Sequence, residues 1–120
     1  SGCSKLSSVT LSKNLTSIPS AAFYNCTNIR AITIPEGVTY IGSAAFANSL
    51  NAVFLPSSIE YIGDGAFVGI TFVDCSAVTT PPTIESQTFA TNASLIIVVP
   101  AESLNAYKSA WGQYAAYIRS

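Results

Sequence analysis

The chain has 120 residues and a net charge of −1, and 49% of its residues are hydrophobic whereas only 9% are charged. A chain of this length folds as one domain that buries about two thirds of its unfolded surface. Its five basic residues are scattered, which excludes an electrostatic surface for nucleic acid. The longest apolar runs, 95–99 and 114–118, are far shorter than the roughly 20 residues of a membrane span.

A short pattern of alternating aliphatic residues recurs along the chain and predicts a series of strands. It occupies residues 6–11, 29–34, 50–55 and 70–75, with a copy one residue shorter at 95–99. Alternation of this kind is typical of a strand with one face in a core. We expect successive strands to pair in parallel at about 4.8 Å, and several coils to stack, because one coil cannot bury its apolar face alone.

The segments between these strands repeat as well. The phrase at 34–46 recurs at 55–67, with a looser copy at 11–23 and a degenerate copy that keeps Ile84 and Phe89. The phenylalanine that ends each copy therefore recurs at positions 23, 46, 67 and 89, which predicts a solenoid. We expect the isoleucines and phenylalanines of this phrase to fill the side of each coil opposite the strands. Gly42 and Gly63 occupy equivalent positions, where we expect a tight backbone turn.

The chain divides into a solenoid and a cap. We expect about four to five coils in residues 1–100, beginning in mid-repeat, and a helical cap in residues 101–120. Leu104, Tyr107 and Trp111 are spaced to form one apolar helix face over the last coil. The opening residues resemble the phrase around Cys26 without its phenylalanine, so we expect a longer parent solenoid and an uncapped N-terminal edge open to self-association.

Three cysteines, Cys3, Cys26 and Cys75, form neither a paired framework nor a zinc motif. Cys3 and Cys26 are repeat equivalents, so we expect them about 5 Å apart in adjacent coils, which is within disulfide range. Their side chains point the same way, so we expect buried free thiols instead, and the same at Cys75.

The sequence offers little catalytic chemistry. It contains no histidine, which removes serine and cysteine triads and most zinc sites. The six carboxylates are interpreted as solvated turn residues, and the glycines do not form a phosphate loop. We therefore expect no enzyme activity, no cofactor and no metal.

The repeat closely resembles the BspA-like leucine-rich repeats of bacterial surface proteins. The resemblance rests on the IxxIGxxAF phrase starting at Val38 and at Ile59, the FxxC phrase at Cys26 and the LxxLxLP phrase at 50–56. It implies a leucine-rich-repeat solenoid: a right-handed coil with a short parallel β-sheet on one face, irregular or short helical returns and a C-terminal capping helix. It also implies a bacterial, exported protein at the cell surface or secreted. Some relatives bind host extracellular-matrix or plasma proteins such as fibronectin and fibrinogen, or other bacteria.

The residues between the inward positions of each strand face outward and form two columns. One column contains Thr10, Thr33, Phe54, Asp74 and Val98, and its neighbour contains Ser8, Ala31, Ala52, Phe72 and Ile96. Exposed apolar patches commonly mark interaction sites. The candidate protein-binding residues are Phe54, Phe72, Asp74, Ile96, Val98 and Thr33. The alternative is that the shortened third coil shifts the register and buries Phe72, or that residues 114–118 fold over the patch.

We interpret the chain as a non-catalytic, surface-exposed adhesion or protein-binding module within a longer repeat protein. The expected partner is a host extracellular-matrix or plasma protein, or another cell-surface protein. The alternative function is a passive stalk or display scaffold with no ligand of its own. The two differ in whether a charge at Phe54 or Phe72 abolishes capture of a partner.

Overall fold

The computed structural model describes residues 11, 14–24, 26, 29–89 and 94–120. Within these residues the chain coils repeatedly, and each coil adds one strand to each of two parallel sheets. The five-stranded sheet consists of β2 (Ala31–Thr33), β4 (Ala52–Phe54), β6 (Phe72–Asp74), β8 (Ile96–Val98) and β9 (Ile118–Arg119). The four-stranded sheet consists of β1 (Ser17–Ile18), β3 (Tyr40–Ile41), β5 (Tyr61–Ile62) and β7 (Thr83–Ile84).

The five-stranded sheet follows the predicted repeat. Its strands are parallel and in register, so that the middle residue of β2, Ile32, aligns with Val53, Val73, Ile97 and finally Ile118. These aligned side chains are all buried. The leucine-rich-repeat solenoid expected from the sequence is therefore confirmed, and the predicted strand at 6–11 lies almost wholly outside the described residues.

The four-stranded sheet lies in the returns, which the sequence analysis expected to be irregular or helical. Each of its strands has two residues, the second of which is an isoleucine that points towards the core. Ile18, Ile41 and Ile62 are buried in the same core as the five-stranded sheet, and Ile84 packs against it. A strand of two residues has a single inward position, so it shows no alternation from which it could have been predicted.

A column of phenylalanines runs through the core along the solenoid axis. The ring centroids of Phe23 and Phe46 lie 5.1 Å apart, those of Phe46 and Phe67 5.5 Å, and those of Phe67 and Phe89 6.1 Å, and all three pairs are stacked. The prediction that these residues fill the coil is confirmed. Each coil places its ring on that of the previous coil, so the stack ties successive coils together.

Gly42 lies so close to the backbone of the preceding coil that there is no room for a side chain. A Cβ atom at this position would lie 2.4 Å from the backbone nitrogen of Ser20, and one at Gly63 would lie 2.6 Å from that of Ser43. The expected explanation, a tight turn that needs the conformational freedom of glycine, is wrong for these two positions. Neither glycine has a positive φ; each instead leaves room for the backbone of the preceding coil.

The C-terminal segment covers the end of the last described coil. A 3-10 turn (Ala101–Ser103) leads into α1 (Leu104–Ala110), and a second 3-10 helix (Gly112–Tyr117) follows. Trp111 lies 5.4 Å from Phe89 between ring centroids, which extends the phenylalanine column into the cap. The predicted capping helix is thus confirmed, whereas the division of the chain at residue 100 remains a prediction. No helix in the described part of the chain is long and apolar enough to cross a membrane.

The cysteines differ from their prediction at one position. Cys75 is a buried free thiol, as expected. Cys26 is buried but disulfide-bonded, so the prediction of a free thiol there is wrong. The spacing expected between adjacent coils, about 4.8 Å, lies within the Cα separation that a disulfide tolerates. Cys3 lies outside the described residues.

Candidate protein-binding site

The predicted site residues lie on the outer side of the five-stranded sheet. Thr33, Phe54, Asp74 and Val98 align across four strands, and Phe72 aligns with Ile96 in the neighbouring column. The residue between the two columns points into the core in every strand, so alternation directs both columns outward. Ser8 and Thr10, the expected members of the preceding coil, lie outside the described residues.

Two phenylalanines form the centre of this surface. Phe54 is 39% exposed, and its ring centroid lies 6.1 Å from that of the half-buried Phe72 at an angle of 56°. Ile96 and Val98 are half-buried on the next strand. We refer to Phe54, Phe72, Ile96 and Val98 as the strand-face patch. Ala52 is aligned with Phe72 in the same column.

Neither alternative arrangement of the patch is found. The register of β4 and β6 continues without a shift, with Ala52 opposite Phe72 and Phe54 opposite Asp74. The segment after α1 leads into β9, which pairs with β8 in the plane of the sheet. The C-terminal segment therefore lengthens the sheet beside the patch through this strand.

Polar residues border the patch. In the described part of the column that contains Phe54, Thr33 is exposed at one end and Arg119 of β9 is exposed at the other end. A third polar residue, Asp74, lies inside the patch, half-buried between Phe54 and Val98, and accepts a hydrogen bond from the backbone N–H of Ser76 at 2.8 Å. This bond holds the carboxylate beside the turn that follows β6. An apolar centre with a polar border is the usual anatomy of a protein interface.

Arg119 is a border residue that sequence reasoning missed. It joins the column because β9 pairs with β8, with Arg119 opposite Val98. β9 is separated from the last repeat by the cap and does not carry the repeat pattern. The sequence therefore contains no signal that would place this arginine on the sheet.

The buried ionisable groups of the core offer no reactive site. Burial raises the pKa of the Cys75 thiol far above its ordinary value, and the neighbouring charge of Asp74 adds to the effect. Burial raises the pKa of Tyr107 in the same way. A thiol with a raised pKa is a poor nucleophile because the thiolate is the reactive form. In the described part of the chain, no three His, Cys, Asp or Glu residues are grouped so that they could hold a metal ion.

The repeat identifies the family. Residues 1–110 match the BspA type leucine rich repeat region in six copies. The chain therefore belongs to the BspA-type leucine-rich-repeat family. Proteins with such repeats are associated with bacterial surfaces, and leucine-rich repeats in general mediate protein interactions and are not catalytic. None of the curated proteins compared with the chain matches it.

Proposed function

We propose that this chain is a non-catalytic module that binds another protein through the strand-face patch. The observation that carries the proposal is the pair of phenylalanines on the outer side of the five-stranded sheet, with Phe54 39% exposed. Parallel sheets usually have both faces covered, so an apolar outer face on a parallel sheet is suited to being covered by a partner. Contiguous exposed apolar surface of this kind commonly marks an interaction site.

The arrangement of the patch supports a specific contact. Phe54 and Phe72 lie next to each other on adjacent strands, and Ile96 and Val98 continue the apolar surface. Interface binding energy is concentrated in a few central side chains, while the polar border contributes orientation and excludes water. We expect the two phenylalanines to be the anchors and Thr33 and Arg119 to form the border, with Asp74 as a polar contact inside the patch.

The proposed partner is a host extracellular-matrix or plasma protein, or a protein on a neighbouring cell, and the proposed location is the bacterial cell surface or the medium. Family membership supports this location. The disulfide at Cys26 also supports it, because disulfides persist in oxidising compartments and are rare in the cytosol.

The experiment that tests the proposal measures capture of purified fibronectin, fibrinogen and other matrix and plasma proteins by the immobilised chain. Phe54→Asp and Phe72→Asp place a charge in the centre of the patch. Ser109→Asp is the matched control, because Ser109 is also exposed but lies in α1 of the cap, outside both sheets. Circular dichroism and thermal unfolding establish that all three variants fold.

We expect each phenylalanine variant to weaken capture by about 30-fold, which corresponds to the roughly 2 kcal/mol typical of a central anchor. Ser109→Asp should bind as the unchanged chain does. Equal capture by the folded phenylalanine variants would contradict the assignment of the patch. A complete lack of capture by the unchanged chain would contradict the proposed partners and favour a display scaffold.

A further inference from the structure

The four-stranded sheet also has an outer side, and it carries a second aromatic surface of different chemistry. Ser17, Tyr40, Tyr61 and Thr83 align across its four strands. Tyr40 is 43% exposed, and its ring stacks on that of Tyr61 with centroids 5.2 Å apart and an angle of 12°. We refer to these four aligned residues as the tyrosine face.

The stack leaves one aromatic ring face open. Tyr61 covers one side of the Tyr40 ring, whereas the residue aligned on the other side is Ser17, which has no ring. Tyr61 is itself held in place, since its hydroxyl donates a hydrogen bond to Glu85 Oε2 at 2.8 Å. The tyrosine face therefore presents a fixed, flat aromatic ring to solvent above a small neighbour.

Two carboxylates lie near the Tyr61 end of this ring pair. Glu85 follows directly after β7 and accepts the hydrogen bond from the Tyr61 hydroxyl, Asp64 follows two residues after β5, and both carboxylates are exposed. The hydrogen bond to Glu85 is the largest cause that raises the pKa of the Tyr61 hydroxyl, burial is the next, and the negative charges of Glu85 and Asp64 add to it. This end of the tyrosine face therefore carries negative charge.

The described basic residues lie elsewhere. Arg30 directly precedes β2, Lys108 lies in α1, and Arg119 lies in β9 at the border of the strand-face patch. The two outer surfaces thus differ in chemistry: one is apolar with an arginine at its border, and the other is aromatic and acidic. An aromatic, acidic surface is complementary to a flat cation.

We propose that the tyrosine face docks a protein segment that presents an arginine side chain. The guanidinium is planar and weakly hydrated, so it stacks on an aromatic ring. In this arrangement the guanidinium lies on the side of Tyr40 away from Tyr61, beside Ser17, and the carboxylates of Asp64 and Glu85 attract it over a longer range. The tyrosine face is a second surface, separate from the strand-face patch.

The test uses a short peptide in which glycine alternates with arginine, and the same peptide with neutral citrulline in place of arginine. Each peptide is titrated into the isotopically labelled chain at an ionic strength of about 0.01 M, where charges are screened only beyond about 30 Å. Amide chemical shifts report the location of binding. The arginine peptide should shift the amides of β3 and β5 and leave those of β4 and β6 unchanged, and the citrulline peptide should shift neither pair.

Two variants separate the contribution of the Tyr40 ring to peptide binding from that of the Glu85 charge. Tyr40→Ser reproduces the residue of the preceding coil, and Glu85→Gln removes a charge while keeping an acceptor for the Tyr61 hydroxyl. Tyr40→Ser should weaken binding about two- to fivefold, the range for an exposed cation–π contact, and Glu85→Gln should weaken it by up to about fivefold, the range for an exposed opposite charge. Tyr40→Leu, which keeps an apolar contact with Tyr61 but lacks the aromatic ring, serves if Tyr40→Ser does not fold. Phe54→Ser is the control and should bind the peptide unchanged.

Three results would overturn the proposal. Equal binding of the citrulline peptide would show that charge is irrelevant, and unchanged affinity in the folded Tyr40 and Glu85 variants would show that this face is not the site. Shifts confined to β4 and β6, or no shifts at all, would remove the tyrosine face as a docking surface. The Phe54→Ser control keeps these outcomes separate from failure of the strand-face patch.

Discussion

One position of the repeat has a left-handed backbone, and different coils place different residues there. Ala21 has φ 59°, Ala44 φ 57° and the equivalent Gly65 φ 70°. A residue with a Cβ atom is strained in this region by about 1–2 kcal/mol, whereas glycine adopts it freely. The strain at the two alanines is therefore a local cost that the stacked coils overcome.

Glycine substitutions should separate backbone strain from steric exclusion. Gly65→Ala should lower the free energy of unfolding by about 1 kcal/mol, because there is room for the Cβ atom and only the conformation is unfavourable. Gly42→Ala should cost more, above about 2 kcal/mol, because the added atom meets backbone at 2.4 Å. Urea unfolding measures both. Equal costs, or a larger cost at Gly65, would contradict the assigned reasons.

Glu36 should give the fold a defined dependence on pH. Its carboxylate accepts hydrogen bonds from the backbone N–H and the hydroxyl of Ser57 in the next coil, both at 2.8 Å. These bonds hold the pKa of Glu36 below 4.5, the backbone bond contributing most. A folded-state pKa below the unfolded value stabilises the fold above the unfolded value, and this stabilisation is lost as the pH falls through the folded value.

Glu36→Gln is the variant that tests this dependence. The unchanged chain should have the higher urea midpoint at neutral pH, and the difference from the variant should shrink below about pH 4, where the unfolded-state carboxyl becomes protonated. Ser109→Ala, at an exposed position of the cap, controls for unrelated changes. A constant difference across the pH range would contradict the role of the Glu36 carboxylate.

At the scale of elements, the cap completes the last described coil with side-chain donors. Trp111 Nε1 donates to the carbonyl of Pro82 at 3.0 Å, and the Tyr114 hydroxyl donates to that of Ser86 at 3.1 Å. The Tyr107 hydroxyl donates to the carbonyl of Val78. In preceding coils, backbone hydrogen-bonding groups pair with the backbone of the next coil. For example, the backbone N–H of Phe46 donates to the carbonyl of Ala66. The cap aromatics replace that next coil.

Substitutions in the cap should lower the free energy of unfolding in proportion to the buried contacts that they remove. Trp111→Ala should lower the free energy of unfolding by about 3–5 kcal/mol, because it empties a fully buried site beside Phe89 and leaves the Pro82 carbonyl unpaired. Tyr107→Phe keeps the ring and removes one hydrogen bond, so about 1 kcal/mol is expected. Thermal and urea unfolding measure both changes. A Trp111→Ala protein as stable as Tyr107→Phe would show that the cap does not seal the core.

The sequence predicted the elements that carry repeated alternation and missed those that do not. β2, β4, β6 and β8 each have an inward residue between two outward ones, and each lies in a predicted segment. The four-stranded sheet has only two residues per strand, and β9 lies outside the repeat. The placement of Arg119 depends on β9, so it could not be derived from the pattern, whereas Tyr40 and Tyr61 are equivalent residues of the repeat and their alignment in adjacent coils follows from it.

At the scale of the whole molecule, the number of reactive thiols shows how many of the cysteines are bonded in a disulfide. The sequence has three cysteines, of which Cys26 is disulfide-bonded and Cys75 is free and buried. A thiol reagent should find no reactive thiol in the native chain, one after denaturation and three after denaturation with a reductant. Three reactive thiols without a reductant would contradict the disulfide and weaken the support for an extracellular location.

The outward direction of Phe54 and Phe72 followed from alternation and repeat length alone. What the pattern could not predict is whether later segments would cover them, because that depends on how the cap leaves the last coil. β9 joins the edge of the sheet, and Phe54 remains 39% exposed. Family membership supports a binding role in general, and the residues that bind remain a proposal.

The measurement that tests the central claim most directly is photocrosslinking from the strand-face patch. Phe54→p-benzoylphenylalanine keeps the phenylalanine ring at the centre of the patch and adds a photoreactive benzoyl group to it, and Gln113→p-benzoylphenylalanine places the same group at an exposed position of the cap. Each protein is irradiated with a partner that the unchanged chain captures. We predict a covalent adduct from position 54 and none from position 113. Bound partner that crosslinks from position 113 and not from position 54 would contradict the assignment of the five-stranded sheet as the binding surface.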